Sequence, residues 1–586
     1  MTYTKDKPLK ILIILLIFLS LIFRAICIPH TNYDMTAHNV PWYMTLYQNG
    51  IAESMATEFA NYSPPYTYFL ALATFTHDFI PPLTAIKLIP MCFDVLGAFF
   101  IYKIVKLKFK QGYLPVLAAV IYFAAPTVIL NSASWGQADS LYTSFLLACL
   151  YFLMTERPFT SMLSLGVAFS IKAQATFFLP FLAVMAIRKK IPWLYFVMMP
   201  LVYLLAILPV VLLGRPFLEA LLIYKKQSLT YSVVSMYAPN AYILVPNEWY
   251  SIITPICLVG TVILLAWWVR ATSQSRINFD NKHIILIAFI SVALAPFLLP
   301  KMHDRYFYPA DVLSIVLAFY WPALWFVPLL YQFASTSAIT IFLFDSNPSF
   351  VVIGFLFNTF ALATALRTQQ LAENRVATDR RISSILSWLV TILTPLILLG
   401  ISMDLLLTPT FIRVQYAMPY IPAGQYGFDK SERFQWASQA MDYLSNDRQT
   451  QYLDRLEFGD GSPVFNQREI STLDGAKKMV QKIFQYWYLS LAAALILGLL
   501  AWIGDWLPEF RNGARRGGWI TIGVAVILAT ASVITNTFTL DAYLENADTL
   551  QRLFPVNFWR DSFLFVLFCL GAGGFLLTKI MTISKK

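Results

Sequence analysis

The chain has 586 residues, 58% of them hydrophobic and 16% aromatic, with only 13% charged and a formal net charge of +11. A water-soluble protein cannot hide that much apolar surface, and the apolar runs, about 18 to 20 residues each, are long enough to cross a bilayer. The composition excludes a soluble domain, and basic residues scattered between apolar runs read as topology determinants, not as a nucleic-acid surface.

The first run, "PLKILIILLIFLSLIFRAIC", follows Lys5 and Lys7 and is long for a signal peptide. No small-x-small cleavage site follows it, so it reads as an uncleaved first helix entered from the cytoplasm. Basic clusters then recur at 102–110, Arg157, 188–190, 270–282, 367–381, 511–516 and Lys585–Lys586. With about sixteen spans every cluster falls on the cytoplasmic side, as the positive-inside rule requires. Arg215, Lys225 and Lys226 break that bias. The polar segments 29–85, 131–138, 171–174, 214–249, 300–308, 405–480 and 537–561 are then extracytoplasmic, and both termini cytoplasmic. Cys27, Cys92, Cys149, Cys257 and Cys569 sit in or beside apolar runs without CxxC spacing, which predicts no disulfide framework.

In chain order, the first outer loop reads "PHTNYDMTAHNVPWYM", with Asp34 just past the first helix beside Tyr33, His30 and His38. Two histidines on an irregular loop match no metal-ligand spacing. "NYSPPYTYFL" (61–70) predicts a short interfacial helix, too short to span, with prolines in its first turn. Its Tyr62 and Tyr66 offer flat apolar faces with hydroxyls. The helix that follows carries Lys87 and Asp94, seven apart on one face, expected to pair with each other. "NSASWGQADSLY" (131–142) is a tight outer turn in which Asp139 or Ser140 suits a helix cap and Trp135, Gln137 and Asp139 suit hydroxyl recognition. Lys172 and Gln174 interrupt an apolar run, and a lysine at mid-bilayer costs about 3 kcal/mol, so a turn should bring Lys172 to the outer surface. "PKMHDRYFYPAD" (300–311) places Lys301, His303 and Arg305 together at the outer end of a span, a set suited to phosphate.

These stretches resemble the multi-spanning GT-C class of polyprenyl-phosphate-sugar-dependent glycosyltransferases, above all the bacterial relatives of the GPI-anchor mannosyltransferases. The resemblance rests on "NYDMTAHN", "YSPPY", "WGQAD", "SIKAQATFFLPF", "YAPNAY" (237–242) and "KMHDRYFYPAD", and covers about residues 1–366. It implies that Asp34 activates the acceptor hydroxyl and that His303 and Arg305, with Lys172 and Lys301, hold the donor phosphate. Tyr33, Tyr62, Tyr66, Trp135, Gln137, Asp139 and Asn240 are then expected to contact substrate. The implied reaction is inverting glycosyl transfer, mannosyl above all, from a polyprenyl-phosphate sugar to a lipid, glycan or protein acceptor at the extracytoplasmic face of the cell membrane. No residue is assigned to a metal. A divalent cation stays open, with Asp34, Glu53, Glu58 and Asp139 as its candidate carboxylates.

A change of style near 367–381 places a domain boundary there: 1–381 is the glycosyltransferase-like domain, and 382–586 a four-span domain with a large outer loop at 405–480. The second domain resembles a four-span family that includes an intramolecular lipoprotein transacylase, through "YGFDKSERFQWASQAMDYL", "FGDGSPVFNQREISTLDGAKKM" and "ADTLQRLFPVNFWRDS". That family's histidine position is Thr472 here, and no histidine follows His303, which argues against transacylation. Two alternatives stand beside glycosyl transfer: a lipid or polyprenyl transporter or flippase, and a lipid acyltransferase acting through the second domain.

Overall fold

The computed structural model describes residues 7–373, 378, 380–418, 428–446, 448–534 and 549–583. Lys5, Lys585, Lys586 and much of the expected 537–561 loop lie outside the described residues. The protein is an all-α polytopic membrane protein. Among the described residues eleven helices are long and apolar enough to span, from Lys7–Cys27 to Val556–Met581, and a bent pair brings the number to twelve. The expected count of about sixteen is reached only by adding four shorter apolar helices. Apolar runs fold this way because a helix satisfies its own backbone polar groups where water is absent. The one paired sheet among the described residues is two residues wide, with Ser235 beside Met302 and Met236 beside His303.

The chain divides into two compact units, Met1–Arg375 and Val376–Lys586. In the first, one span is broken: Leu114–Phe123 and Pro126–Trp135 meet at 49°. An unbroken helix would give the Phe123 carbonyl the Thr127 N–H, but across the break that N–H donates to Gln332 Oε1 at 3.2 Å, which frees the carbonyl. Two groups from the first helix take it: Ser20 Oγ donates to it at 2.9 Å and Arg24 Nη1 at 2.7 Å. Arg24 also bonds to Ser20 Oγ, stacks 3.8 Å from the Phe123 ring centroid and pairs through Nη2 with Asp94 Oδ2 at 2.9 Å. This corrects the expected Lys87–Asp94 pair. Lys87 Nζ instead donates to the carbonyls of Ile28 at 2.9 Å and His30 at 2.5 Å, at the end of the first helix. Seven residues along a helix put about 10 Å between their Cα atoms, too far for a contact when each side chain has a nearer partner.

The second unit holds four spanning helices, Arg380–Leu406, Gln467–Ile503, Leu507–Ile534 and Val556–Ile583. Between the first two, helix Lys430–Ser445 buries Trp436, Ala437 and Ala440 against Phe411, Val464 and Phe465. Capping boxes at Asp429/Glu432 and Asn466/Glu469 start helices Lys430–Ser445 and Gln467–Ile503.

Candidate active site

Six separate stretches of the first unit close around a cavity of about 140 Å³. Its only lining carboxylate among the described residues is Asp34, which ends the loop after the first helix and opens a π-helical turn, Met35–Asn39. Asp34 Oδ2 accepts from Trp135 Nε1 at 2.9 Å and from Gln137 Nε2 at 2.6 Å. Among the described residues Oδ1 accepts nothing, so one oxygen is held and the other is left for a ligand. Gln137 is itself oriented by Tyr62, whose hydroxyl donates to Oε1 at 3.1 Å.

Both donors to Asp34 hang on a second π-helical turn, Leu130–Trp135, closed by Gly136 at φ 77°. Such turns add a residue to a helix and re-aim its side chains. A Cβ on Gly136 would fall 2.0 Å from Met35 Cε and 3.2 Å from Lys87 Cγ, so glycine is needed for conformation and for space.

Opposite the acid stand the cations. Lys172 breaks the backbone between helix Pro158–Ile171 and the 3₁₀ turn Ala173–Phe178, and its Nζ meets Asp139 Oδ1 at 2.5 Å. Arg305 lies 4.8 Å from the Trp135 ring centroid, with Nε 3.6 Å from Asp139 Oδ2 and Nη1 3.7 Å from Asp304 Oδ1. Those are ion-pair distances, longer than hydrogen bonds, and Arg305 Nε is buried without a hydrogen-bond partner. Trp135 thus touches both ends of the site, its N–H on the acid and its ring under the guanidinium. Burial raises the Asp304 carboxyl to about 7 despite the pull of Arg305. Burial, then Arg305 and Lys172, hold His303 well below the usual imidazole value. His303 is therefore neutral at pH 7, not a third cation.

Of the residues singled out from sequence, Asp34, Tyr62, Gln137, Lys172, His303 and Arg305 line the cavity. Trp135, Tyr66 and Asp139 are buried behind it. Tyr66 packs on Tyr62 at 4.5 Å, and Asp139 accepts from Asn131 at 2.9 Å while facing both cations, the place of a counter-ion. Three lie elsewhere. Tyr33 is 67% exposed. Lys301 sits at φ 63° and donates to Ser228 O at 2.7 Å and Tyr250 Oη at 2.9 Å. Asn240 is buried, capping Tyr242 N and donating to Pro296 O at 2.9 Å, which fastens "YAPNAY" to the end of helix Asn281–Leu298. Among the candidate metal carboxylates, Glu58 is paired with Lys226 at 2.7 Å. No three His, Cys, Asp or Glu side chains among the described residues group as a metal cage.

Other lining residues were not assigned from sequence: His38 and Trp42, stacked at 5.5 Å, Asn61, Gln227 on the short helix Ile223–Leu229, and Thr230 and Tyr231 just beyond it. That helix is tied down by Lys226 on Glu58 and by Gln227 Nε2 on Asn61 O at 3.0 Å. The signal was the break in charge bias at Arg215 and Lys226, cations retained because Glu58 and Glu219 face them.

Residues 40–188 match the family model described as alpha-(1->6)-mannopyranosyltransferase, N-terminal domain. The matched span holds Tyr62, Trp135, Gln137, Asp139 and Lys172 but neither Asp34 nor Arg305, and it supports glycosyl transfer in general terms. The chain is also similar to an uncharacterized protein of Aquifex aeolicus (strain VF5), 23% identical over 196 residues, which cover 31% of this chain and 86% of that protein. No solved structure matches.

Proposed function

We propose that this protein is a membrane glycosyltransferase that moves a mannosyl group from a polyprenyl-phosphate carrier to a hydroxyl acceptor at the extracytoplasmic face. One observation carries the reading: Asp34 and Arg305 line one cavity, the acid with a free oxygen and the cation with an unused N–H.

The chemistry needs that pair. The acceptor oxygen bonds to the sugar's anomeric carbon while the bond from that carbon to the phosphate oxygen breaks. The hydroxyl proton goes to Asp34 Oδ1, and the bonding electrons leave on polyprenyl phosphate. Trp135 and Gln137 fix the base by its other oxygen, and a general base of this kind is worth about 10²–10⁴-fold. Lys172 and Arg305 offset charge that grows on the leaving phosphate, with Arg305 able to present planar donors to it. A single displacement from the face opposite the leaving group inverts the anomeric centre. The acceptor is a lipid, glycan or protein hydroxyl. The extracytoplasmic placement rests on the lysine and arginine bias of the connecting segments.

The test is transfer from mannosyl-phosphoryl-polyprenol by purified protein in proteoliposomes, comparing Asp34→Asn with wild type. A loss of about 10²–10⁴-fold in kcat is expected with the unfolding temperature unchanged. Full transfer by Asp34→Asn removes the residue from the mechanism.

A further inference from the structure

The helix Pro82–Lys108 presents two fully buried charged side chains, Lys87 and Asp94, on one face. Neither lines the cavity, and burying charge in a membrane-spanning helix is expensive unless it does something. Each reaches a different half of the site. Lys87 Nζ gathers the carbonyls of Cys27, Ile28 and His30, the strand of chain that delivers Asp34 four residues later. Asp94 Oδ2 takes Ser132 Oγ at 2.6 Å, from the π-helical turn that ends in Trp135, and Arg24 ties the same carboxylate to the broken span below it.

The two halves also meet over Lys87. Its stem packs where a side chain on Gly136 would sit, together with Met35, the residue after Asp34. Asn32 Nδ2 bridges them again, donating to Ser134 O at 3.2 Å.

We propose that Lys87 and Asp94 are positioning residues: one rigid helix face sets the loop of Asp34 through Lys87 and the turn of Trp135 and Gln137 through Asp94 and Ser132, and so fixes the register between the base and its two donors. The inference rests on the glycosyl-transfer reading above. It gives a reason for two buried charges that do not pair with each other. The spacing of Lys87 and Asp94, about 10 Å along the helix, becomes the ruler for the distance between the two loops.

The experiment compares Ser132→Ala, Lys87→Arg and Lys87→Met with wild type. Ser132→Ala removes one hydroxyl and leaves the Arg24–Asp94 pair intact, so it reports even where Lys87→Met does not fold. Misplacement of a reacting group lowers kcat, so Ser132→Ala and Lys87→Met should each lose about 10- to 100-fold in kcat, with donor KM within about two-fold. Lys87→Arg, which keeps the cation and its donors, should recover most of that loss. Ser132→Ala combined with Trp135→Phe should lose less than the product of the two separate losses, because Ser132 acts in part through the Trp135 bond to Asp34. Amide hydrogen exchange on the unliganded protein should quicken at 130–137 in Ser132→Ala and at 28–36 in Lys87→Met, leaving helix Asp139–Met154 unchanged. Additive losses, or exchange that quickens throughout the unit or nowhere, overturn the proposal. Absence of transfer by wild type overturns the functional reading alone, since the exchange arms need no substrate.

Discussion

The two units treat polar residues in opposite ways. In the first, the hydrogen bonds that matter join residues far apart in sequence: Trp135 and Gln137 reach Asp34 from more than a hundred positions away, and Arg24 reaches Asp94 across 70. Those groups are buried or half-buried. In the second unit the polar contacts are mostly local and wet, such as the capping box Asn466/Glu469, Lys478 on Asp474 at 2.8 Å, and the exposed pair Arg448–Asp442 at 3.6 Å. Exposed pairs contribute about 0–1 kcal/mol, whereas losing one partner of a buried pair costs about 3–5 kcal/mol. The difference teaches what long-range polar contacts are used for: in the first unit they converge on the cavity, whereas in the second those that occur join helices, as Tyr416 Oη on Leu553 O at 2.7 Å and Thr391 Oγ1 on Gly513 O at 3.1 Å.

The sharpest break of that comparison is Gly136→Ala. The new Cβ must hold a left-handed backbone that L side chains rarely adopt, and it displaces the buried Met35 methyl group and presses on Lys87 Cγ, so the strain falls between the turn of Trp135 and the loop of Asp34. Transfer should fall about 100-fold, read as kcat in proteoliposomes, since shifts near 1 Å cost about that much. Next comes a matched pair of arginines. On the proposed reading Arg305→Gln removes charge-assisted bonds to the donor phosphate, about 1.5–3 kcal/mol, so kcat/KM for the donor should drop about 10- to 100-fold. Arg448→Gln, half-exposed in the second unit, should change neither transfer nor stability measurably.

Much of this was legible in sequence, and the reason is physical. Continuous apolar runs can only be spans, and a charge such as Lys172 inside one forces a break, which the structure places at that residue. Trp135, Gln137 and Asp34 belong to short stretches whose residue types have few uses at a membrane surface. What sequence could not give was partnership. Lys87 and Asp94 share a face, but each bonds to a different segment, Lys87 to carbonyls at the end of the first helix and Asp94 to Arg24 within it. Lys301 stands two residues from His303, yet its left-handed backbone turns it to Ser228 and Tyr250. Tertiary packing drives His303 further toward the neutral form, through burial first and then through Arg305 and Lys172 beside it.

A smaller effect sharpens the electrostatic side. The Asp304 carboxyl, raised to about 7 by burial, is protonated in the folded protein at pH values where the unfolded chain has lost that proton. Its contribution to stability is therefore present below the ordinary carboxylate range and is lost as pH rises through about 7. The same ionisation puts a negative charge 3.7 Å from Arg305, which on the proposed reading weakens its hold on the donor phosphate. Donor KM should rise as pH passes from 6 to 8, by up to about tenfold per unit above 7, and Asp304→Asn should flatten that rise. A KM that is flat in wild type places no titrating carboxyl beside the donor.

The smallest effect runs in the stabilising direction and belongs to the second unit. Gly475 lies inside helix Gln467–Ile503, and a Cβ there meets nothing within 4 Å. With no clash to oppose it, Gly475→Ala gains only the lower entropy cost of alanine in a helix, about 0.5–1 kcal/mol. Against Gly136→Ala the substitution is chemically identical and its sign is reversed, because one glycine is closed in by Met35 and Lys87 and the other faces open space. The unfolding temperature of the Gly475→Ala protein should rise slightly with transfer unchanged. A fall in transfer would show that the outer helix of the second unit takes part in the reaction, and would end the division of labour between the two units.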